Sequence, residues 1–206
     1  MESTASRTEF KPFPKIARLS REMVVTEKID GTSGCVFIGD KDHGEPELLV
    51  GSRTRWITPE NDNHGFAAWA YEHKDELMKL GRGRHFGEWW GKGIQRNYGL
   101  DEKRFSLFNV IRWCLRDEEP QRIVTADPRQ EKYQEPLPLC CGLVPILYRG
   151  MFYTSAVDLC LSVLNQGGSR AAPGFMDPEG VVVFHTAGNV MFKKTLGSDG
   201  AKGGGK

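Results

Sequence analysis

Short apolar runs separated by turn residues recur along most of the chain, and that pattern limits the fold more than any other feature. Val24-Val25, Cys35–Ile38 and Leu48–Val50 are strand-length runs. His85–Trp90, Phe105–Trp113 and Leu143–Tyr148 follow. Val181–Thr186 and Val190–Thr195 are joined through Ala187-Gly188-Asn189, a hairpin signal. Only two stretches carry the three-to-four spacing of an amphipathic helix. One begins near Asp62-Asn63, places Phe66, Trp69, Ala70, His73, Leu77 and Leu80 on one face, and ends at Gly81. Trp69 and His73 in it read as core packing. The other starts at Thr154, aligns Val157, Cys160, Leu161 and Leu164, and stops at Gly167-Gly168. Many strands and two helices predict an α+β fold with antiparallel β-sheets flanked by helices.

The 206 residues suit one large domain. Residues 1–20 read as an N-terminal arm, because Pro12 and Pro14 oppose a regular element there, and Phe10, Phe13 and Ile16 in it are candidates to pack. Residues 21–196 form the expected domain, and 197–206 read as a flexible tail rich in glycine. Between Trp113 and Leu143 lies a polar, proline-bearing loop around one short strand at Arg122–Thr125. The net charge of +1 gives no global attraction to nucleic acid, so a polyanion must be met by local clusters. Arg82 and Arg84 in the glycine-rich "GRGRHFG", read as a basic loop, together with Lys92 and Arg96, are such candidates. No apolar run approaches the ~20 residues that span a bilayer. The polar start lacks a signal-peptide core, and five cysteines without C-x-x-C spacing fit a reduced compartment, so a cytoplasmic protein is expected. Five scattered histidines argue against a zinc site.

"EKIDGTSG", residues 27–34, sets Lys28 two residues before an Asp-Gly turn. A lysine there is either a solvated charge at the lip of a hairpin or a nucleophile. A lysine amine is protonated at neutral pH, near a pKa of ~10.4, and becomes nucleophilic only with desolvation or neighbouring cations. Arg53 and Arg55 in "SRTRW" fall on one face if that stretch is a strand, and guanidinium groups suit phosphates. Lys193 and Lys194 in "VMFKKT" fall on opposite faces of theirs.

Six stretches in one order resemble the covalent nucleotidyltransferase superfamily: "EKIDGTSG", "SRTRW", "FGEWWG", "KRFSLFNV", "PEGVVVFH" and "VMFKKT", spanning residues 27–195. The resemblance is closest to ATP-dependent RNA ligases of the phage and RNA-editing type, with a phage origin one possibility it raises. It implies an adenylation domain of the ATP-grasp-like ligase kind, with ATP and Mg²⁺ or Mn²⁺ as cofactors. Lys28 would take AMP from ATP, pass it to an RNA 5′-phosphate, and a 3′-hydroxyl would then displace it. Asp30 would orient Lys28 or a partner cation. Glu27, either a solvated glutamate or an acceptor for the adenine amino group, and Ile29 would lie along the base edge. Arg53 would hold phosphate, Glu88 the ribose, and Phe105 would cover the adenine face while Phe108 turns to the core. Glu179 would position the metal or Lys28. The family usually spaces its closing lysines by one residue, whereas Lys193 and Lys194 are adjacent, so either is a candidate for the α-phosphate. Arg53, Arg55, Arg82, Arg84, Lys92 and Arg96 would meet nucleic acid.

About eleven residues follow Thr195, fewer than the C-terminal domain such enzymes usually carry. The expectation is therefore a core acting as a monomer, or with a partner protein that supplies grip on RNA. A small ATP-dependent DNA ligase, a capping-type guanylyltransferase and a non-catalytic module binding nucleic-acid ends are the rival readings.

Overall fold

The computed structural model describes residues 12–40, 46–114 and 137–197. The expected strand at Arg122–Thr125, Phe10 of the arm and most of the tail lie outside them. Among the described residues ten strands form two sheets. One sheet has the order β10 (Val190–Thr195), β9 (Gly180–His185), β1 (Glu22–Lys28), β8 (Ile146–Met151). The other runs β4 (Trp56–Ile57), β3 (Pro46–Ser52), β2 (Thr32–Asp40), β5 (Gly83–Gly91), β6 (Lys103–Leu107), β7 (Cys141–Leu143). All pairings are antiparallel except β6 with β7.

Three apolar clusters follow from alternation along the strands. Met23, Val25, Val181 and Val183 pack under α3 (Thr154–Gly167), whose Cys160, Leu161 and Leu164 face them. Val36, Val50, Trp89, Phe105 and Leu107 pack against α1 (Phe66–Glu72) and α2 (Lys74–Met78). Between the sheets, Val24, Ile29, Trp90, Tyr98 and Phe184 form the third. The layers are thus helix, sheet, sheet, helices, and any cleft between the sheets opens beside this third cluster.

Both expected helices are present. Asp62 accepts backbone N–H bonds from Ala67 at 2.7 Å and Ala68 at 3.0 Å, which satisfies donors at the start of α1. The helical stretch breaks at His73, whose ring Nδ1 lies 2.9 Å from the Trp69 carbonyl. Several expectations are corrected. "GRGRHFG" is not a loop: residues 83–87 open β5. The run Phe105–Trp113 yields β6 and then a π-helical turn, Val110–Cys114. The run Leu143–Tyr148 is divided at Pro145 between β7 and β8, in different sheets. Proline has no N–H for a ladder, and here its carbonyl accepts from the Glu27 amide at 2.9 Å as the chain crosses over. In the arm, Phe13 and Ile16 are exposed and do not pack. No described helix is long and apolar enough to cross a membrane.

Candidate active site

Lys28 is the last residue of β1, on the same side of the strand as Val24 and Thr26, so it points between the sheets. Its Nζ is 2.6 Å from Glu179 Oε2, and both side chains are largely but not fully buried. Glu179 stands directly before β9, whose Gly180 pairs with Lys28 across the ladder. β1 therefore carries the amine and the neighbouring strand's entrance carries the carboxylate.

Opposite them, Glu88 projects from β5. Its Oε1 accepts from the Gly31 amide at 3.2 Å. Burial pushes its carboxyl up to about 7; Lys28 and the Gly31 N–H oppose that rise, and Glu179 and Asp30 add to it. Gly31 is required by contact rather than by turn geometry. A Cβ there would lie 2.5 Å from the Trp89 carbonyl and 3.0 Å from Glu88 Cγ.

A raised carboxyl prefers its neutral form in the folded state. Glu88 therefore costs nothing below its unfolded pKa and destabilises increasingly as pH climbs from about 4.5 through about 7. Glu88→Gln is accordingly expected to raise unligated stability at about pH 8 by about 1–3 kcal/mol while weakening ATP binding. Thermal unfolding at two pH values, with and without ATP, checks this; a variant less stable at high pH contradicts it.

Asp30 does not touch Lys28. Its Oδ2 accepts from Arg96 Nε at 2.9 Å, and its amide donates to the Tyr98 hydroxyl at 2.7 Å. Arg96 Nη1 also reaches Asp177 Oδ2 at 2.7 Å and its carbonyl at 3.0 Å. Arg96 thus ties the turn after Lys28 to the segment that bears Glu179. This corrects its expected role: a guanidinium divided between two carboxylates is a clamp, not a cation waiting for phosphate. Gln95, Asn97 and Tyr98 all have positive φ, at 44°, 60° and 51°, a costly backbone that tight packing must hold. Buried Tyr98 sits 5.0 Å from Trp90 and 4.6 Å from Phe175, and burial pushes its phenol far above the ordinary range. No motif in the sequence marks Tyr98.

Phe105 is misassigned. It is 1% exposed and lies against α1, 4.9 Å from Phe66. A Cβ on Gly87 would strike its ring at 2.6 Å, so it fills space on the far face of the sheet. Phe108, on the opposite side, is partly buried against the inter-sheet cluster. Glu27 is also corrected. It follows Val25 on the α3 side of β1 and is 1% exposed. Its Oε1 accepts from Ser169 Oγ at 2.5 Å, and its Oε2 from the amides of Arg170 at 2.7 Å and Ala171 at 3.0 Å. That carboxylate braces the loop after α3 and is neither solvated nor on the base edge. Ile29 is buried in the inter-sheet cluster, leaving only its backbone for a ligand.

Register separates the two closing lysines. Lys193 pairs with Val182, on the cleft side; Lys194 pairs with Val181, on the α3 side, and binds Asp158 Oδ1 at 2.6 Å. Lys194 therefore points away from Lys28. Arg53 and Arg55 do not share a strand face: they occupy an exposed bend between β3 and β4, and Arg55 Nη1 contacts the Asn61 carbonyl at 3.4 Å. The bend starts one residue beyond the Gly34–Ser52 rung, at the level of Ser33 and Glu88, which puts Arg53 at the rim of the cleft. Arg82 pairs with Asp40 at 2.7 Å, Arg84 lies over the Phe37 ring, and Lys92 is exposed just after β5.

Among the described residues no group of three or more His, Cys, Asp or Glu side chains could cage a metal. Glu179 still fits Mg²⁺ or Mn²⁺, since Mg²⁺ is usually held by one or two carboxylates together with substrate phosphate oxygens and water.

The sequence matches the RNA ligase family over residues 21–195. No curated protein matches it. Among solved structures, the fold is similar to an apo variant and to the pyrophosphate-bound form of RNA ligase of Naegleria gruberi. Each is 22% identical with a TM-score of 0.55, covering 86% and 85% of this chain and 50% of the other. A variant of that ligase with ATP and Mn is 21% identical, with a TM-score of 0.54, covering 85% of this chain and 49% of that one. The chain thus spans about half the length of these structures.

Proposed function

The chain belongs to the RNA ligase family, and on that premise we propose that it is an ATP-dependent RNA ligase whose nucleophile is Lys28. The observation that carries the proposal is the 2.6 Å contact between Lys28 Nζ and Glu179, in a cleft that Glu88 closes from the other sheet. A lysine at a hairpin lip does not need such surroundings.

In the first step Lys28 Nζ attacks the α-phosphorus of ATP. A P–N bond forms, the P–O bond to pyrophosphate breaks, and Glu179 is placed to receive the proton that the amine loses. An RNA 5′-phosphate oxygen then attacks the same phosphorus, the P–N bond breaks, and Lys28 recovers its proton. A 3′-hydroxyl oxygen finally attacks the 5′-phosphorus of the activated end, its proton passes to solvent, the P–O bond to AMP breaks and AMP leaves. Charge accumulates on phosphate oxygens at each stage, so catalysis rests on positioned cations. Lys193, on the cleft side, is the residue for the α-phosphate, and Arg53 at the rim suits the outer phosphates. A bound Mg²⁺ or Mn²⁺ would add Lewis-acid stabilisation of that charge. Glu88 would accept from ribose hydroxyls, and Phe108 takes the stacking role in place of Phe105.

Relatives in the solved structures are named as RNA ligase, one of them with ATP and Mn, which supports ATP and RNA over the DNA-ligase and capping readings. Action as a monomer, and any partner protein that aids RNA binding, belong to the same proposal. The test is incubation with ATP or GTP labelled at the α-phosphate. Label from ATP is expected, at least tenfold above GTP, because base selection depends on edge hydrogen bonds rather than stacking. Label from GTP alone supports guanylyl transfer, and none from either supports a binding module.

A further inference from the structure

The face of β5 that bears Glu88 continues away from the active site. Along it the cross-strand rungs are Ser33 with Glu88, Cys35 with Phe86, and Phe37 with Arg84. On the other side of β2, Cys35 pairs with Gly51, and Gly51 with Trp56. The Trp56 indole spreads over Gly51, where a Cβ would sit 3.2 Å from it. Three strands, β4, β2 and β5, thus present Trp56, Phe37, Phe86 and Arg84 on one surface. Trp56 is 49% exposed and Phe86 38%. Phe37 lies 6.0 Å from Trp56, and the Arg84 guanidinium is 5.1 Å above the Phe37 ring. Cys35 is buried beneath these rings.

Wet aromatic rings beside arginines are a poor design for a surface left to water and a good one for a polynucleotide strand. Bases stack on the rings regardless of sequence, and guanidinium groups meet the phosphates. The cations here are Arg84 on the face and Arg53 and Arg55 in the bend that leads into Trp56. Two alternating steps of β5, about 13 Å, separate Arg84 from Glu88. We propose that this face binds the single-stranded end of an RNA and leads it to the lysine site, with bases on Trp56 and Phe86 and phosphates on Arg84, Arg53 and Arg55. The identity of the strand as RNA rests on the ligase reading above; binding to the face does not require that Lys28 react.

The experiment titrates a fluorescent single-stranded oligoribonucleotide of mixed sequence into the full chain without nucleotide, followed by anisotropy. Lys28 adenylation by ATP is measured in parallel. Trp56→Ala is expected to weaken binding about tenfold and Trp56→Phe to restore most of it. Arg84→Gln is expected to weaken binding and flatten its salt dependence. All three variants should adenylate at the wild-type rate, which also shows that they fold. Wild-type affinity in both Trp56→Ala and Arg84→Gln overturns the proposal, as does failure of the adenylating wild-type chain to bind the oligonucleotide. Binding that depends on Trp56 in a chain that takes no label from ATP upholds the surface and removes the ligase reading instead.

Discussion

Lys28→Ala is expected to take no label from ATP, a loss limited only by the detection floor, while still binding the nucleotide within a few-fold. The amine is the only group in the cleft proposed to form a bond to phosphorus. The base, ribose and outer phosphates are assigned to Phe108, Glu88 and Arg53, which the substitution leaves in place. A second consequence is electrostatic. Lys28 opposes the upward shift of the Glu88 carboxyl, and it pairs with Glu179. Without the ammonium the Glu88 carboxyl rises further, so the pH range over which ionising it destabilises the fold extends above about 7. Lys28→Ala should therefore lose more thermal stability than the wild type as pH is raised. Calorimetric ATP binding and unfolding curves at two pH values check both parts. Substantial labelling of this variant moves the nucleophile elsewhere.

The second large effect separates two adjacent residues. Lys193→Met should slow adenylation by about 10²–10³-fold, the cost of one preorganised charge-stabilising group. Lys194→Met should change the rate by no more than a few-fold. Lys194 is committed to Asp158 on the opposite side of β10, and an exposed pair of that kind contributes little to stability. Single-turnover labelling of the two variants gives the ratio directly. Equal losses, or a larger loss in Lys194→Met, show that β10 presents its other face to the nucleotide.

Apart from the start of β5 and the π-helical turn after β6, element type was readable from the residues; which face looks into the cleft was not. Apolar runs and turn residues located the strands, and the three-to-four spacing located the helices, including the stop of α3 at Gly167-Gly168. Alternation also placed Phe105 and Phe108 on opposite faces. Which face looked into the cleft depended on β5 beside β6 and on α1 covering the far side, contacts distant in sequence. The same gap reversed Glu27, whose carboxylate meets Ser169 from 142 positions away. Lys28 and Glu88 stood out as candidates because short motifs carry them. The clamp of Asp30, Arg96 and Asp177 was not, because three separate segments supply it and each charge alone resembles an ordinary surface residue. Arg53 and Arg55 misled for a local reason: a strand pattern was read through a stretch where the chain bends.

The central claim is that Lys28 carries the nucleotide, and the most direct measurement is the intact mass of the wild-type chain after ATP and Mg²⁺, followed by peptide mapping. The account predicts a gain of one AMP, on the peptide containing Lys28, stable to alkali and released by acid as a P–N bond requires. An adduct on a peptide without Lys28, or one with the opposite stability as an acyl phosphate on a carboxylate would have, contradicts it.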